Sequence, residues 1–173
     1  MVARPDGPAP LIRPARNADI ARLAAVGLAA WQAGIGPLVP PYVAARVVAA
    51  DPFRPFLEHC RDQVLVALID DRPAGFGATE LGDDCISDLW VDPAYAGRGC
   101  GGALLAALMA RTAGRGHGVV RLEVMAGNDP ARRLYERAGF AVARQFRAYD
   151  PVLGVSIDKL AMTCPLTADV TLG

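Results

Sequence analysis

The sequence has no net charge and almost no lysine. Its 173 residues include 18 Lys and Arg against 18 Asp and Glu, and Lys159 is the only lysine. The arginines are scattered along the chain and form no long basic run. Proteins that bind nucleic acids usually carry a basic patch that attracts phosphates from a distance. We therefore expect no nucleic-acid partner.

Metal-binding cysteine motifs and long apolar segments are also missing. The four cysteines are widely spaced and form no CxxC or Cys/His pattern, which is typical of reduced thiols in a cytoplasmic protein without a metal site. No apolar run reaches the roughly 18 residues needed to cross a membrane. The N-terminus also lacks the apolar core of a signal peptide. We expect a cytoplasmic protein that makes no membrane contact.

Length and hydrophobic patterning predict a single α/β domain over residues 10–166, with a flexible tail at residues 1–9 and a C-terminal tail at residues 167–173. Helical periodicity and breaker residues predict helices at Ile20–Ala33, Tyr42–Ala50, Phe56–Cys60, Gly99–Ala113 and Pro130–Ala138. Aliphatic or alternating segments predict strands at Leu11–Arg13, Gln63–Asp70, Ala74–Leu81, Cys85–Val91 and Val119–Met125, with two more inside Phe140–Tyr149 and Ser156–Cys164.

Breaker residues and connection lengths predict how these elements are joined. We attribute a break before Phe56 to Pro52 and Pro55, and a hairpin turn to the segment Asp71-Arg72-Pro73. The three consecutive strands are expected to form an antiparallel meander. The strand–helix–strand step that follows them should place two strands side by side and parallel.

Four glycines stand where the strand Cys85–Val91 passes into the next helix. Gly97, Gly99, Gly101 and Gly102 fall within six residues. A tight turn with positive φ explains one or two of them, but each glycine kept in a helix costs roughly 0.5–1 kcal/mol relative to alanine. A glycine turn at a helix N-terminus presents unpaired N–H groups to an anion, most often a phosphate. We therefore predict a phosphate-binding loop.

Two common phosphate-binding motifs do not fit this loop. The glycine spacing does not give GxGxxG with an acidic residue at the end of the next strand, and no Gly-Lys-Ser/Thr follows. A nucleotide-binding oxidoreductase and an ATP-binding protein are therefore the weaker interpretations.

A second group of residues runs from Asn128 to Phe140. Its pattern is that of a short helix capped by Asn128 or Asp129 and ended by Gly139. The spacing predicts a buried stripe with Tyr135 at its edge. The stripe consists of Ala131, Leu134 and Ala138.

Together the two segments resemble the GCN5-related N-acetyltransferase (GNAT) superfamily. Its first signature, V-x-P-x-x-[QR]-x-x-G-x-[GA], is similar to Val91–Gly101, with Ala96 where the family has Gln or Arg. Its second signature, N-x-x-A-x-x-L-Y-x-x-x-G-F, is complete from Asn128 to Phe140. The resemblance covers residues 11–164 and implies the GNAT acyl-CoA N-acyltransferase fold. This fold has a mixed, mostly antiparallel sheet with a central splayed parallel pair, flanked by helices.

The resemblance also implies a reaction, in which an acetyl group passes directly from acetyl-CoA to a primary amine in a ternary complex. The strand Leu89-Trp90-Val91 would pair with the pantetheine arm of the cofactor, which Asn128 and Ala131 would also contact. Backbone N–H groups of the loop would hold the pyrophosphate. This set comprises Arg98, Gly99, Cys100, Gly101, Gly102 and Ala103.

Catalytic and acceptor residues follow from the same resemblance. Tyr135 would contact the cofactor and protonate the departing thiolate, because a phenol with a reference pKa of about 10 is protonated at neutral pH. Asp88 and Glu80 are the candidates for the base, and each could instead be a solvated strand-end carboxylate. The acceptor residues would be Trp31, Tyr42 and Tyr149, for which ordinary packing is the alternative.

Several alternatives remain open at the level of the sequence. The acceptor could be a protein N-terminus, an amino acid or a small-molecule amine, and aromatic acceptor residues would favour one with an apolar part. A shared strand edge would allow a homodimer. The rival function is a non-catalytic acyl-CoA sensor or interaction domain on the same fold, which Ala96 in the loop makes conceivable.

Overall fold

The computed structural model describes residues 8–79 and 84–166, and these residues form five α-helices and seven β-strands. The helices are α1 (Ile20–Gly34), α2 (Pro41–Ala50), α3 (Phe53–Cys60), α4 (Cys100–Gly114) and α5 (Asp129–Arg137). The strands are β1 (Leu11–Pro14), β2 (Val64–Ile69), β3 (Arg72–Thr79), β4 (Cys85–Val91), β5 (Val119–Met125), β6 (Ala141–Asp150) and β7 (Val155–Pro165). The predicted elements are all present, with their ends shifted by a few residues.

The seven strands form one sheet in the order β1-β2-β3-β4-β5-β7-β6. Every neighbouring pair is antiparallel except β4 and β5, which are parallel. The crossover from β4 through α4 to β5 produces this parallel pair, as expected for a strand–helix–strand unit. The predicted meander and the predicted parallel pair are both confirmed.

The parallel pair separates soon after it forms. β4 and β5 are paired at Cys85 with Arg121 and at Ile86 with Leu122, and at no later position. The opposite edge of β5 is paired along its whole length with β7. The edge of β4 that faces β5 is therefore unpaired from Ser87 onwards, and a gap opens in the middle of the sheet.

Helices cover the two faces of the sheet and form a hydrophobic core on each. The core under α4 and α5 includes Leu104 and Leu122, whereas the core under α1, α2 and α3 includes Leu23 and Phe76. Alternation along β4 sends Leu89 to the first core and Trp90 to the second. The gap between β4 and β5 therefore connects the two faces of the sheet.

Two predicted boundaries are wrong for local reasons. α3 begins at Phe53, so Pro55 lies inside its first turn, where the missing N–H of proline would have no intrahelical acceptor. The turn between β2 and β3 is formed by Asp70 and Asp71, whose φ angles are 50° and 60°, and Arg72 already belongs to β3. Two consecutive residues with positive φ are typical of the type I′ turn that suits a tight hairpin.

Some predicted features lie outside the described residues. These are Glu80, the end of the predicted strand at Leu81, and most of both predicted tails (residues 1–7 and 167–173). No helix within residues 8–79 and 84–166 combines the length and the hydropathy of a membrane span.

Candidate active site

The predicted phosphate loop forms the entrance to α4. Gly97 and Gly99 have φ angles of 75° and 81°, which a residue with a side chain adopts only under strain. The Arg98 N–H donates to the Tyr95 carbonyl at 3.3 Å, and the Ala103 N–H donates to the Gly99 carbonyl at 3.0 Å. Arg98 and Ala103 are the first and last residues of the predicted anion-binding set, and the N–H groups of both are therefore already hydrogen-bonded within the protein.

Four amides lie between those ends, and all except that of Gly99, the N-cap, belong to the first turn of α4. The N–H groups of Cys100, Gly101 and Gly102 belong to the first turn of α4, where no carbonyl of the same helix can accept them. They lie at the positive end of the helix dipole. The first turn of α4 is therefore suited to bind an anion such as a pyrophosphate.

Gly101 and Gly102 differ in what surrounds them. A Cβ atom on Gly101 would lie 3.2 Å from Leu134 Cδ2, so the packing of α5 against α4 accounts for this glycine. A Cβ atom on Gly102 would have no protein atom within 4 Å outside its own helix backbone and chain neighbours. Packing within the described residues therefore gives no reason for Gly102, whereas a ligand on the loop would.

Two side chains fix the loop to the rest of the molecule. Asp92 is buried; its Oδ1 accepts the Ala94 N–H at 2.9 Å, and its Oδ2 accepts the Arg22 guanidinium of α1 at 2.5 Å. The Arg98 side chain lies over the Tyr95 ring and 3.9 Å from the Asp70 carboxylate. The sequence analysis did not identify the role of Asp92, because Arg22 is distant in the chain.

Tyr135 is more buried than its position in the sequence predicts. The side chain was expected at the edge of the apolar stripe of α5, but the residue is only 8% exposed and its ring packs against Phe140. Burial, and secondly the negative charge of Asp88, raise the pKa of Tyr135 to about 12. The phenol is therefore protonated at any physiological pH.

Asp88 lies inside β4, so it is not a strand-end carboxylate. A register shift leaves Ser87 without a partner in β3, and Asp88 then pairs with Ala78. The Trp90 Nε1–H donates to Asp88 Oδ1 at 2.9 Å. Burial raises the pKa of the Asp88 carboxyl, although hydrogen bonding to Trp90 and Ser87 opposes this effect. Glu80, the other predicted base, lies outside the described residues.

A cavity of about 580 Å³ lies at the gap, on the face of the sheet covered by α1 and α3. Its walls come from β4, β5, β7, the helices and the turn before β7. Residues at its polar and aromatic wall include Trp31, Asp88, Trp90, Glu123, Asp150 and Lys159. A cavity of this size can hold a small molecule or the end of a peptide.

The three predicted acceptor residues do not come together in this cavity. Trp31 lines it, although the residue is only 5% exposed and also belongs to the core. Tyr42 and Tyr149 are 66% and 64% exposed and are not among the lining residues. The residue after Tyr149, Asp150, lines the cavity in its place.

The remaining cofactor candidates lie at the start of α5 and on β4. Asn128 is the N-cap of α5, and its side-chain oxygen accepts the Ala131 N–H at 3.4 Å. The cap is therefore Asn128 and not Asp129, and the Asn128 side-chain oxygen is already used by this cap. Leu89 and Val91 are partly buried against α4, on the open half of β4.

Two charged cavity residues were missed by the sequence analysis, Glu123 on β5 and Lys159 on β7. Asp150, at the end of β6, directly follows the predicted acceptor residue Tyr149. The only local signal was the alternation of β5, in which Glu123 stands between buried Leu122 and Val124. Their proximity depends on strand pairing across the sheet, which the sequence does not display.

Comparison with known proteins identifies sequence relatives among acetyltransferases. The chain is 47% identical over 83 residues to a mycothiol acetyltransferase of Clavibacter sepedonicus, which covers 45% of this chain and 27% of that protein. It is 36% identical over 100 residues to a [ribosomal protein bS18]-alanine N-acetyltransferase of Salmonella typhimurium, which covers 57% of this chain and 68% of that protein. The chain therefore spans only about a quarter of the length of the first of these relatives.

Solved structures share the fold. A GCN5-related N-acetyltransferase from Rhodopseudomonas palustris superposes with a TM-score of 0.78 at 24% identity, over 92% of this chain and 98% of that one. A PaiA N-acetyltransferase from Thermoplasma acidophilum in complex with coenzyme A gives a TM-score of 0.74 at 18% identity, over 91% and 99%. These similarities confirm the predicted fold.

A sequence model of the acetyltransferase (GNAT) family matches residues 38–140, which contain the phosphate loop, both strands of the parallel pair and Tyr135. The match covers more than half of the chain, and the relatives above are themselves acetyltransferases. The predicted family and enzyme class are thereby confirmed, and the chain belongs to the acetyltransferase (GNAT) family.

Proposed function

We propose that the chain transfers an acetyl group from acetyl-CoA to a primary amine by direct transfer in a ternary complex. The observation that carries this proposal is the gap between β4 and β5. One end of β4 leads to the free amides of α4, its open edge faces the gap, and the gap leads into the cavity. A linear thioester bound at a helix N-terminus and extended along an open strand would therefore deliver its acyl end to the cavity.

The cofactor would be held mainly by backbone groups. The pyrophosphate would bind the amides of Cys100, Gly101 and Gly102, with the dipole of α4 in support. The pantetheine arm would pair with the open edge of β4 at Leu89–Val91, where a backbone N–H can donate to the thioester oxygen. Because Ala96 offers no polar side chain, the backbone carries more of the binding than in relatives with Gln or Arg at that position.

The proposed reaction uses Tyr135 as its general acid. The neutral amine attacks the thioester carbonyl carbon, a C–N bond forms and the C–S bond breaks. Tyr135 donates its proton to the departing thiolate, and the proton that the attacking nitrogen loses restores the phenol. A pKa of about 12 keeps the Tyr135 hydroxyl protonated but makes it a weak acid, so the two proton transfers have to be coupled.

The base would be a carboxylate of the cavity wall, which has to remove a proton from the incoming ammonium group. Asp88 is the predicted candidate, and the rise of its pKa by burial brings the carboxyl closer to neutral pH, where a base is most effective. Glu123 is the alternative that the structure adds, because it lines the same cavity and is 49% exposed. The variants Asp88→Asn and Glu123→Gln separate them, since only loss of the true base removes the acidic limb of the pH–rate profile.

Thiol release from acetyl-CoA in the presence of an amine panel tests the activity itself. Tyr135→Phe keeps the aromatic packing against Phe140 and removes only the hydroxyl. We expect kcat to fall by about 100-fold or more, while KM for acetyl-CoA changes little. An unchanged kcat would contradict the role of Tyr135.

The rival function gives a different pattern in the same experiment. An acyl-CoA sensor would bind coenzyme A in calorimetry but release no thiol with any amine. The observation that favours this rival is Ala96, which removes a polar side chain from the loop without blocking the backbone amides.

A further inference from the structure

The cavity carries more negative than positive charge. Among the described residues that line it, the acidic side chains are Asp88, Glu123 and Asp150, and Lys159 is the only basic one. A concave site lined mainly by one sign of charge attracts ligands of the opposite sign. The acceptor amine reaches the site as an ammonium ion, and this surplus of carboxylates favours its entry.

The single cation of the cavity is already paired. Lys159 Nζ lies 3.3 Å from Asp150 Oδ2 and 3.5 Å from Glu123 Oε2, and the Lys159 side chain is 19% exposed. Asp150 cannot easily turn away, because its Oδ1 accepts the backbone N–H groups of Val152 and Leu153, each at 3.0 Å. Lys159 therefore offers no uncompensated positive charge to a negative group on the acceptor.

The rest of the wall is apolar and aromatic. Trp31 of α1, Phe53 and Phe56 of α3 and Ile157 of β7 face the same space. The Phe53 and Trp90 rings pack edge to face at 5.3 Å, so this wall is fixed by contacts within the protein. An acceptor with an apolar body would gain binding energy there by leaving water.

We propose that the acceptor is a monocationic amine with an apolar or aromatic body and without a free carboxylate. The inference rests on the proposed acetyltransferase activity and narrows the acceptors left open by the sequence. A free amino acid is disfavoured, because its carboxylate would lie near the carboxylates of the cavity wall. Lys159 would not compensate this repulsion, since it is already paired with Asp150 and Glu123. The N-terminus of a peptide and a small arylalkylamine share the favoured chemistry.

Calorimetry with coenzyme A present tests the inference separately from catalysis. Phenylalaninamide and phenylalanine differ only in the carboxylate, and we expect the amide to bind at least about tenfold more tightly, or 1.4 kcal/mol, because like charges placed side by side in a binding site repel each other. Failure of the amide to bind more tightly than the acid overturns the inference, whether or not acetyl transfer occurs. Absence of thiol release with a well-bound amide would instead overturn the proposed activity.

Two further ligands distinguish the source of the amine. Phenethylamine represents a small molecule, and a peptide amide with N-terminal phenylalanine represents a polypeptide. Preference for either one agrees with the inference and identifies the source. Binding of phenylalanine more tightly than both contradicts it.

A matched pair of variants tests the role assigned to Asp150. Asp150→Asn keeps the Oδ1 acceptor for the turn amides but removes the charge that compensates Lys159. We expect the ratio of amide to acid affinity to fall by about fivefold or more. Asp158→Asn is the control, because Asp158 pairs with Arg147 on the surface and does not line the cavity. An unchanged ratio in Asp150→Asn, or an equal fall in Asp158→Asn, refutes the role.

Discussion

Replacing Gly102 with alanine tests whether this glycine is needed for the stability of the fold or for the binding of a ligand. A Cβ atom there meets no protein atom within 4 Å outside its own helix backbone and chain neighbours, and φ is not in the left-handed region. Alanine has a higher helix propensity than glycine by up to about 1 kcal/mol. The fold alone therefore predicts a more stable protein, with Tm higher by about 2–4 °C for a chain of this size.

A bound pyrophosphate predicts the opposite effect on affinity. If the phosphate rests on the amides of the first turn of α4, an added methyl group at Gly102 lies where the ligand approaches. We expect the affinity for coenzyme A to fall by about tenfold, or 1.4 kcal/mol. We therefore predict that Gly102→Ala has a higher Tm than the unmodified protein and binds coenzyme A more weakly. Thermal unfolding measures the first quantity and calorimetry measures the second, on one sample.

Gly114→Ala is the matched control for this experiment. Gly114 lies at the other end of the same helix and has equally open space around a Cβ atom. It should give a comparable gain in stability and leave the affinity for coenzyme A unchanged. If Gly102→Ala binds coenzyme A as tightly as the unmodified protein, the first turn of α4 is not the pyrophosphate site.

Two further predictions concern ionisable groups. Because burial raises the pKa of Asp88 in the folded protein, its ionisation costs stability as pH rises above the unfolded value of about 3.9. Asp88→Asn keeps an acceptor for the Trp90 Nε1–H and should be more stable than the unmodified protein at pH 7, although less active; equal or lower stability in urea unfolding would contradict this. Hydrogen bonds from Arg13 lower the pKa of Asp19, so this pair stabilises the fold above about pH 3.9 and loses its effect as pH falls through the folded pKa. Asp19→Asn should lower the free energy of unfolding by about 2–3 kcal/mol at pH 7, and the difference should shrink in acid; a difference independent of pH would refute the electrostatic cause.

Local sequence signals were sufficient for most of the fold. The apolar periodicity of α4, the alternation of β5 and the capped segment of α5 each lie within one short stretch of chain, and the structure contains all three elements. Errors arose where a local rule has an exception. Pro55 is tolerated in the first turn of α3, and Asp70 and Asp71 adopt a turn conformation more often found with glycine or asparagine.

The same difference between local and long-range signals applies to the candidate site. The glycine loop and Tyr135 could be predicted as site residues because their signatures are contiguous in the chain. Glu123 and Lys159 were missed because they meet across neighbouring strands although they are 36 residues apart in the chain. Tyr42 and Tyr149 were predicted from the family resemblance, and the helix and strand that carry them place both outside the cavity lining.

The sequence by itself determined the family and the element order, and it supplied the predicted anion-binding loop and the candidate acid, because each depends on residues close together in the chain. Only the tertiary structure decided the further rise of the pKa of Tyr135, the place of Asp88 inside β4 and the charge balance of the cavity. The physical reason is that a pKa or an ion pair depends on which groups share a low-dielectric space. Asp88, Glu123, Asp150 and Lys159 share such a space at the gap between β4 and β5, where the two strands part after Ile86 and Leu122.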